Sequence, residues 1–344
     1  MVDVYLFNPE HDLALAHGAH NYTAPPFARQ LRHDLRLLPA WVAPAGVYIA
    51  VPDDVSIDED RSWLSDHHLD VMPIAVSEIA ELGACRIHPW GWDATLRHRL
   101  LQAGVARDYL PSDAELGWIR RLSHRRTTIA VHQAIGASFS PCPVELDSYD
   151  DVQAFMNVHP GCYLKMPWSG SGKGIYRVID PQGDKHVLHW IEGALRRQGS
   201  LLCEVGLDHV QDFAIECECS GGKVVLTGYS IFDSDFHSQF GSGRVGPKDE
   251  LHEMLLGLYP DLDPVIARVL MAIDHLIAPH YDGPLGIDMM LYRDKNGKTA
   301  INPCVEINLR MTMGMVTAAM GERNGLRGTF TIIAGNSGYD VKLQ

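Results

Sequence analysis

The amino-acid sequence predicts an α/β protein built from two or three subdomains, and three observations lead to this prediction. At 344 residues the chain is too long for one simple hydrophobic core. Its hydrophobic content of 46% and charged content of 21% are typical of a globular protein. Strand-like and helical patterns alternate in the N-terminal third, which is typical of a small α/β unit with a partly parallel sheet.

The N-terminal unit is predicted to span residues 1–112. Its alternating segments are expected as strands at 2–7, 47–51 and 71–76 and as a helix at 94–104. Loops that follow such strands often bind ligands. The loop after the first strand is therefore a candidate ligand site, or else one of its residues caps a helix. The residues concerned are Asn8, Glu10, His11 and Asp12.

The rest of the chain is predicted to form two further subdomains, 113–200 and 201–344. Ser112 or Asp113 is suited to cap the first helix. Helices are expected at 113–122, 125–135, 147–157, 186–198 and 265–278, and strands at 161–166, 175–179, 201–204, 213–219 and 223–232. A polar, glycine-rich loop is predicted at 233–246.

The net charge of −14 excludes generic binding of DNA or RNA, because the protein would repel a polyanionic backbone. Basic residues nevertheless cluster at Arg120, Arg121, Arg125 and Arg126. This local patch suits a small anionic ligand, or its arginines pair with nearby acids.

The cysteine usage and the N-terminus predict a cytoplasmic protein. Seven cysteines are scattered without a CxxC pair, as is typical of buried small residues in a reducing compartment. Among them, Cys217 and Cys219 occupy one face of a strand-like segment. The first eight residues carry no basic region and no long apolar run, so we expect no signal peptide. No apolar stretch approaches the ~20 residues of a membrane span, and we expect no membrane binding.

Two strand-like stretches near the C-terminal end, 286–290 and 304–310, carry a candidate metal site. Alternate side chains of a strand share a face, so Glu306 and Asn308 point the same way, and Asp288 lies on a polar face between apolar neighbours. Two carboxylates and an amide oxygen are hard ligands for Mg²⁺, or for Mn²⁺ in its place, usually together with substrate phosphates. The alternative is a solvated strand face with ordinary charges.

The turn between these strands, at 295–297, makes the metal hypothesis testable. A two-residue loop would place Asp288 and Glu306 on opposite faces. A three-residue loop with Gly297 in the left-handed conformation pairs Asp288 with Cys304 and keeps the candidate ligands on one face. The metal hypothesis therefore predicts the three-residue loop.

A glycine-rich loop at 169–174 is a candidate phosphate site, because such a loop can aim successive backbone N–H groups at a phosphate. Its spacing matches neither a Walker A loop nor a dinucleotide-binding fingerprint. Lys165, on the preceding strand, is placed to add a point charge to the same phosphates, whereas the alternative is a flexible hairpin tip. The candidate loop residues are Ser169, Gly170, Ser171, Gly172 and Lys173.

The order of these features resembles the ATP-grasp superfamily, which includes D-alanine–D-alanine ligase and biotin carboxylase. A basic helix start precedes a lysine-bearing strand, the glycine-rich loop and a strand that ends in Glu204, and the candidate metal hairpin follows. The resemblance covers about residues 113–325, roughly two-thirds of the chain. It implies a two-subdomain ATP-grasp domain at 113–344 behind a Rossmann-like, substrate-side N-terminal unit.

The resemblance implies that ATP lies between the two later subdomains. Arg125 stands where the family usually has a phosphate-contacting lysine, and Lys165 matches the second such lysine. The loop 169–174 matches the mobile loop that closes over the β- and γ-phosphates.

A hinge that reads the adenine base is implied by the segment after the strand that ends in Glu204. Glu204, with the backbone of Val205 and Leu207, would meet the base edge. Asp212 matches the acidic residue that holds the ribose hydroxyls, and Gln211 competes for that role because the spacing is one residue longer than usual.

The resemblance further implies that Asp288, Glu306 and Asn308 bind Mg²⁺ and that Arg310 stabilises an acyl phosphate. Catalysis would rest on Arg310 and Lys165, because phosphoryl transfer needs alignment and charge neutralisation more than covalent help. The expected substrates are ATP, a small-molecule carboxylate and an acceptor, often an amine. A homodimer is a further expectation, because many relatives form dimers.

Two other functions remain open at this stage. One is a kinase on the same scaffold, which would leave a stable phosphorylated product. The other is a nucleotide-binding module without turnover, although such a module would not need three metal ligands. His237 and Arg244 are expected to face the acceptor, or they lie in a surface loop.

Overall fold

The structure is a computed structural model, and it describes residues 1–136, 139–170, 174–179, 185–234, 240–335 and 338–344. Four of the candidate site residues lie outside the described residues: Ser171, Gly172, Lys173 and His237. None of the helices in the described ranges is long and apolar enough to cross a bilayer.

The N-terminal unit is a parallel four-stranded sheet flanked by helices, as the sequence predicts. Its strands are β1 (Val2–Leu6), β2 (Tyr48–Val51), β3 (Met72–Ala75) and β4 (Cys85–Pro89), in the order β3-β2-β1-β4. Its helices are α1 (His11–His17), α2 (Pro26–Asp34), α3 (Ile57–Asp66) and α4 (Ala94–Gln102). The sequence did not predict β4. Because parallel strands end at one edge of the sheet, the loop after β1 lies at the edge where ligands bind in such sheets.

The middle of the chain contains two helices that belong with the later part of the fold. These are α5 (Asp113–Leu122) and α6 (Arg126–Ile135). Ser112 caps α5 as predicted, because its hydroxyl accepts the Glu115 amide at 3.2 Å and the Glu115 carboxylate accepts the Ser112 amide. Gly136 ends α6 in the left-handed conformation at φ 67°.

A four-stranded antiparallel sheet forms the first of the two later subdomains. Its strands are β5 (Val144–Leu146), β6 (Tyr163–Lys165), β7 (Ile175–Arg177) and β8 (Leu201–Glu204), in the order β5-β8-β6-β7, with helices α7 (Tyr149–Val158) and α8 (Lys185–Gln198). The boundary predicted at residue 200 is therefore four residues early. Leu201 and Cys203 are fully buried in the core of this sheet, so β8 belongs to it.

A seven-stranded antiparallel sheet forms the second later subdomain. Its strands are β9 (Asp208–Ser220), β10 (Lys223–Ser234), β11 (Phe240–Val245), β12 (Gly283–Arg293), β13 (Thr299–Asn308), β14 (Gly328–Gly335) and β15 (Gly338–Leu343). They lie in the order β13-β12-β9-β10-β11-β14-β15. Three further helices accompany them, namely α9 (Lys248–Leu258), α10 (Leu262–Leu276) and α11 (Met313–Asn324).

The prediction of a loop throughout 233–246 is wrong, because β11 lies within it. The local sequence is polar and glycine-rich, so it carries little strand signal of its own. The strand forms because β10 and β14 both pair with it and satisfy its backbone groups. This is a case in which the neighbouring strands decide the local conformation.

Packing joins the three sheets into one molecule. Residues of α5 and α6, including Leu116 and Val131, share a buried core with Phe213 and Ile287 of the seven-stranded sheet. The N-terminal unit contacts β15, an edge strand of that sheet, where the Tyr339 amide donates to Asp34 at 2.9 Å. It also contacts the chain just after β13, where the Met311 amide donates to the Trp90 carbonyl at 2.7 Å.

Candidate active site

The hairpin of β12 and β13 has the three-residue loop that the metal hypothesis predicts. The Asp294 amide donates to the Lys298 carbonyl at 2.9 Å, and Gly297 adopts φ 75° between them. The predicted pairing of Asp288 with Cys304 is wrong, because Asp288 lies opposite Glu306.

The difference arises from a bulge in β13. Between the pairs Asp288–Glu306 and Met290–Asn302, one residue of β12 faces three residues of β13. Pro303 lies in this bulge and has no N–H with which to continue the ladder. Two extra residues preserve the alternation, so Asp288 and Glu306 still share a face.

A cavity of about 340 Å³ opens between the two antiparallel sheets, within the range typical of small-molecule sites. Apolar side chains such as Ile175, Phe232 and Met289 contribute to its walls. Seven of the predicted site residues line it together: Lys165, Glu204, Val205, Leu207, Asp212, Asp288 and Glu306. The structure thus brings these seven residues into one cavity. The predicted nucleotide, metal and catalytic residues that lie in the described part of the chain but do not line this cavity are Arg125, Ser169, Gly170, Gln211, Asn308 and Arg310.

Lys165 and Glu204 form a close ion pair on one wall of this cavity. The Lys165 ammonium lies 2.6 Å from Glu204 Oε2, and the Lys165 side chain is 6% exposed. In the antiparallel pair of β6 and β8, Lys165 lies opposite Leu202 and Glu204 lies opposite Tyr163, so the two side chains are diagonal neighbours on one face. The Lys165 ammonium group therefore lies at the cavity wall, where a bound phosphate could contact it in addition to Glu204.

Asp212, rather than Gln211, faces the cavity. Burial raises the pKa of the Asp212 carboxyl, and His209, 3.3 Å away, opposes this shift. The Gln211 amide instead donates to the carbonyls of Asp212 and Phe232, each at 3.0 Å. Asp212 therefore remains a candidate for binding the ribose hydroxyls, whereas the side-chain amide of Gln211 is already hydrogen-bonded to backbone carbonyls.

Arg125 joins the base of the glycine-rich loop to the candidate metal hairpin. Its Nε donates to the Met166 carbonyl at 3.1 Å, and its Nη2 donates to Ser169 Oγ at 3.1 Å. The same Nη2 lies 2.8 Å from Glu306 Oε1. Arg125 is 5% exposed and is not among the residues that line the cavity, so its contacts here are with the protein itself.

The candidate metal ligands form a strongly acidic group. Burial and the neighbouring charge of Glu306 raise the pKa of Asp288 well above its usual range. Asn308 Oδ1 accepts a hydrogen bond from Arg310 Nη2 at 2.8 Å. Two facing carboxylates with unfavourable mutual charge, and an amide oxygen on the same face, fit a divalent cation. In the described part of the chain, no group of three or more His, Cys, Asp or Glu side chains is arranged to hold a metal ion, so the candidate set includes the amide oxygen of Asn308.

A second cavity, of about 170 Å³, continues from the first past Asp288 and Glu306. Here the N-terminal unit closes the site, because Asp12, Leu31 and Trp90 line it. Arg310 on the opposite wall contacts Asp12 Oδ2 at 3.1 Å through both Nε and Nη2.

Of the four N-terminal candidates, only Asp12 reaches the described walls of either cavity. Asn8 donates to the Gly91 carbonyl at 2.7 Å, and Glu10 pairs with Arg32 at 2.5 Å. His11 is buried, with Nδ1 3.6 Å from Asp93 Oδ2. Arg244, which was expected to face the acceptor, is exposed on β11 and lines neither cavity.

Glu216 is a site residue that the sequence analysis missed. It is 1% exposed in the second cavity wall, and its carboxylate accepts from Ser230 at 2.8 Å and from Thr312 at 2.9 Å. Burial raises its pKa to about 7. The available signal was the alternation of β9, which places Glu216 on the face opposite the buried Ile215 and Cys217.

Comparisons with known proteins find likeness in structure alone. No protein-family model matches the sequence, and a search of curated proteins finds no match. N5-carboxyaminoimidazole synthetase from Staphylococcus aureus, solved with ADP, aligns at a TM-score of 0.53 and 10% identity over 98% of this chain and 83% of that one. Biotin carboxylase from Campylobacter jejuni, solved as a β,γ-ATP complex, aligns at 0.52 and 15% identity over 96% and 75%.

A third solved structure extends the likeness to a complex that holds magnesium. The biotin carboxylase domain of 2-oxoglutarate carboxylase from Hydrogenobacter thermophilus, a dimer solved with MgADP, ADP and bicarbonate, aligns at a TM-score of 0.54 and 12% identity. The alignment covers 96% of this chain and 74% of that one. These structures are ATP-grasp enzymes, and the likeness extends over nearly the whole chain. The chain therefore has the ATP-grasp fold, as its resemblance in motif order implies.

Proposed function

We propose that this ATP-grasp protein is an ATP-dependent, Mg²⁺-requiring ligase that activates a small carboxylate as an acyl phosphate and transfers the acyl group to an amine. One observation carries the proposal: two cavities meet at Asp288 and Glu306. The larger cavity has the size and residues expected for a nucleotide, and the smaller one suits a second substrate. Transfer between two substrates needs this adjacency.

In the larger cavity the adenine would lie at Glu204, Val205 and Leu207, and the ribose would lie near Asp212. Lys165 would contact the phosphates from the wall that it shares with Glu204. The N5-carboxyaminoimidazole synthetase that aligns with this chain at a TM-score of 0.53 was solved with ADP. This complex supports a nucleotide site in the same fold. Asp288, Glu306 and Asn308 would hold Mg²⁺, which offsets phosphate charge and aligns the phosphate oxygens.

The reaction follows from this arrangement. An oxygen of the substrate carboxylate attacks the γ-phosphorus of ATP, the bond from that phosphorus to the bridging oxygen breaks, and ADP leaves. Arg310 is positioned to offset the negative charge of the resulting acyl phosphate. An unprotonated amine then attacks the acyl carbon, phosphate leaves, and the amine loses a proton to give an amide. In this mechanism the side chains bind, orient and neutralise charge, and none forms a covalent intermediate.

The test is a pair of measurements on the full chain. Calorimetry with MgATP is expected to detect binding that disappears when EDTA removes the metal. A coupled assay of ADP release, over a panel of small carboxylic acids with and without amines, is expected to show sustained turnover only when an acid and an amine are both present. Turnover that needs no amine and leaves a stable phosphorylated acid would support a kinase instead, and absence of MgATP binding would refute both functions.

A further inference from the structure

The second cavity contains a line of polar side chains that leads from the candidate metal site into the N-terminal unit. Arg310 Nη2 donates to Asn308 Oδ1 at 2.8 Å, and the same nitrogen lies 3.1 Å from Asp12 Oδ2. Both contacts between Asp12 and Arg310 use Oδ2, and Asp12 Oδ1 makes no hydrogen bond with any described residue. A substrate whose carboxylate lies beside the candidate metal ligands would therefore have both Arg310 and Asp12 as neighbours.

The charge of this cavity disfavours a substrate that carries only negative charge. Among its described lining residues, four have carboxyl groups and one has a guanidinium group. These are Asp12, Glu216, Asp288, Glu306 and Arg310. A divalent cation would offset the charge of its own ligands, and Asp12 is not among the proposed ligands. A substrate with a positive group beside Asp12 would offset the negative charge that remains.

The remaining lining is apolar and leaves little space. Leu31, Trp90, Phe240 and Met313 line the same cavity as Asp12. The volume of about 170 Å³ is below the range of roughly 300–1,000 Å³ that is typical of pockets for drug-sized ligands. The group beyond the positive charge should therefore be apolar and small.

We propose that the carboxylate substrate is an α-amino acid with an apolar side chain, and that Asp12 binds its ammonium group. The proposal rests on the ligase function proposed above and specifies its substrate class. In an amino acid the ammonium and carboxylate groups are separated by one carbon, which matches the direct neighbourhood of Asp12 and Arg310. The zwitterion then lies with each charge beside its opposite, and its side chain contacts Leu31 and Trp90.

This arrangement also predicts discrimination against simple acids. An acid without the amino group would bring an apolar chain against the Asp12 carboxylate and offer its Oδ1 no partner. The cost falls on binding of the des-amino acid, whereas the nucleotide in the neighbouring cavity is unaffected. Selectivity for the amino group is therefore a property that Asp12 alone should control.

The first experiment compares acids that differ only in the amino group: leucine with 4-methylpentanoate, and alanine with propanoate, each amino acid as both enantiomers. Calorimetry measures their binding to the full chain in the presence of Mg²⁺ and a non-hydrolysable ATP analogue, and ADP release with MgATP is measured in parallel. We expect the better enantiomer of each amino acid to bind about tenfold or more tightly than its des-amino partner. Equal affinity within both pairs would overturn the proposal.

The second experiment uses Asp12→Asn, which keeps the size of the side chain and removes its charge. We expect the affinity for the amino acid to fall by about tenfold while that for the des-amino acid is unchanged or rises. An equal loss for both would mean that Asp12 only positions Arg310, and the ammonium assignment would be wrong. Asp108→Asn, at an exposed position of the N-terminal unit, is the matched control.

A third variant examines the apolar end of the cavity. Leu31→Ala enlarges this end, so we expect the ratio of affinities for phenylalanine and alanine to rise by several-fold. An unchanged ratio would contradict the placement of the side chain. If des-amino acids support amine-dependent ADP release and amino acids do not, this inference fails and the ligase function stands. If MgATP does not bind, the ligase function fails and the inference fails with it.

Discussion

Arg125 and Glu306 form an ion pair of 2.8 Å that joins the start of helix α6 to the candidate metal hairpin. The same guanidinium group also holds the Met166 carbonyl and Ser169 at the base of the glycine-rich loop. One side chain thus fixes the separation between the candidate phosphate loop and a candidate metal ligand. The family resemblance implies a phosphate contact for Arg125, and the geometry adds a positioning role.

Arg125→Lys is expected to lower kcat by about 10- to 100-fold, because small misplacement of reacting groups is costly. A lysine has one compact ammonium group and cannot reach both the loop base and Glu306 in the way that the planar guanidinium does. The Mg²⁺ concentration that gives half-maximal rate should rise as well. Steady-state kinetics with an Mg²⁺ titration measures both effects. Arg121→Lys, on the exposed face of α5, is the control, and a wild-type kcat in Arg125→Lys would contradict the positioning role.

Glu306→Gln is expected to reduce ADP release by about 100-fold or more, because the metal supplies several kcal/mol of charge stabilisation. The substitution removes one of two carboxylates from the proposed ligand set and leaves its size unchanged. Circular dichroism should show a retained fold, since Glu306 lies at the cavity wall. Glu253→Gln, at an exposed position of α9, is the matched control. Normal ATP consumption by Glu306→Gln would rule out the metal assignment.

A double-mutant cycle tests the ion pair between Lys165 and Glu204. Removing one partner of a largely buried ion pair leaves the other without compensation, so Lys165→Met should lower the free energy of unfolding by about 3 kcal/mol. The double variant Lys165→Met with Glu204→Gln should recover part of that loss. Urea unfolding measures the stabilities, and calorimetry should show weakened MgATP binding in both variants. Strictly additive losses would indicate that the 2.6 Å pair does not couple the residues.

The buried carboxyl group of Glu216 should make the free energy of unfolding depend on pH. Burial raises its pKa to about 7 in the folded protein, above the unfolded value of about 4.3. Between these values the folded state binds more protons, so the contribution of Glu216 to stability decreases as pH rises from about 4.3 to 7. The total change is on the order of 4 kcal/mol.

The measurement compares wild type with Glu216→Gln from pH 4.5 to pH 8. Because glutamine does not titrate, the Tm of wild type minus that of the variant should decrease with pH across this window and become constant above it. Burial also raises the pKa of Glu218 to about 7, but Glu218 is present in both proteins and cancels in the difference. A difference in Tm that stays constant with pH would exclude the raised pKa of Glu216.

Gly206→Ala tests the proposed adenine hinge. A Cβ at this position would lie 2.1 Å from the Gly161 carbonyl oxygen, a backbone atom that cannot rotate away. The hinge between Val205 and Leu207 must then shift, so we expect weaker MgATP binding and a lower Tm. Gly257→Ala, in helix α9 with no atom within 4 Å of the added Cβ, should be neutral or slightly stabilising. Unchanged MgATP affinity in Gly206→Ala would show that the hinge does not take part in nucleotide binding.

The sequence by itself determined the local features of this protein. Alternation along β12 and β13 placed Asp288, Glu306 and Asn308 on one face, and the turn at 295–297 has the predicted loop length. The sequence also predicted that Ser112 caps α5 and that α6 ends at Gly136. These features depend on backbone and side-chain chemistry within a few residues, so neighbours in the chain suffice to specify them.

Only the tertiary structure decided which residues meet across the chain. The contact of Asp12 with Arg310 spans 298 positions, and the bulge at Pro303 that sets Asp288 opposite Glu306 depends on how β12 and β13 pair. The burial of Glu216 arises where two other segments, at Ser230 and Thr312, close over it. Such contacts depend on the packing of whole elements, because the hydrophobic surfaces that bring them together are spread over the chain and are not encoded at any one position.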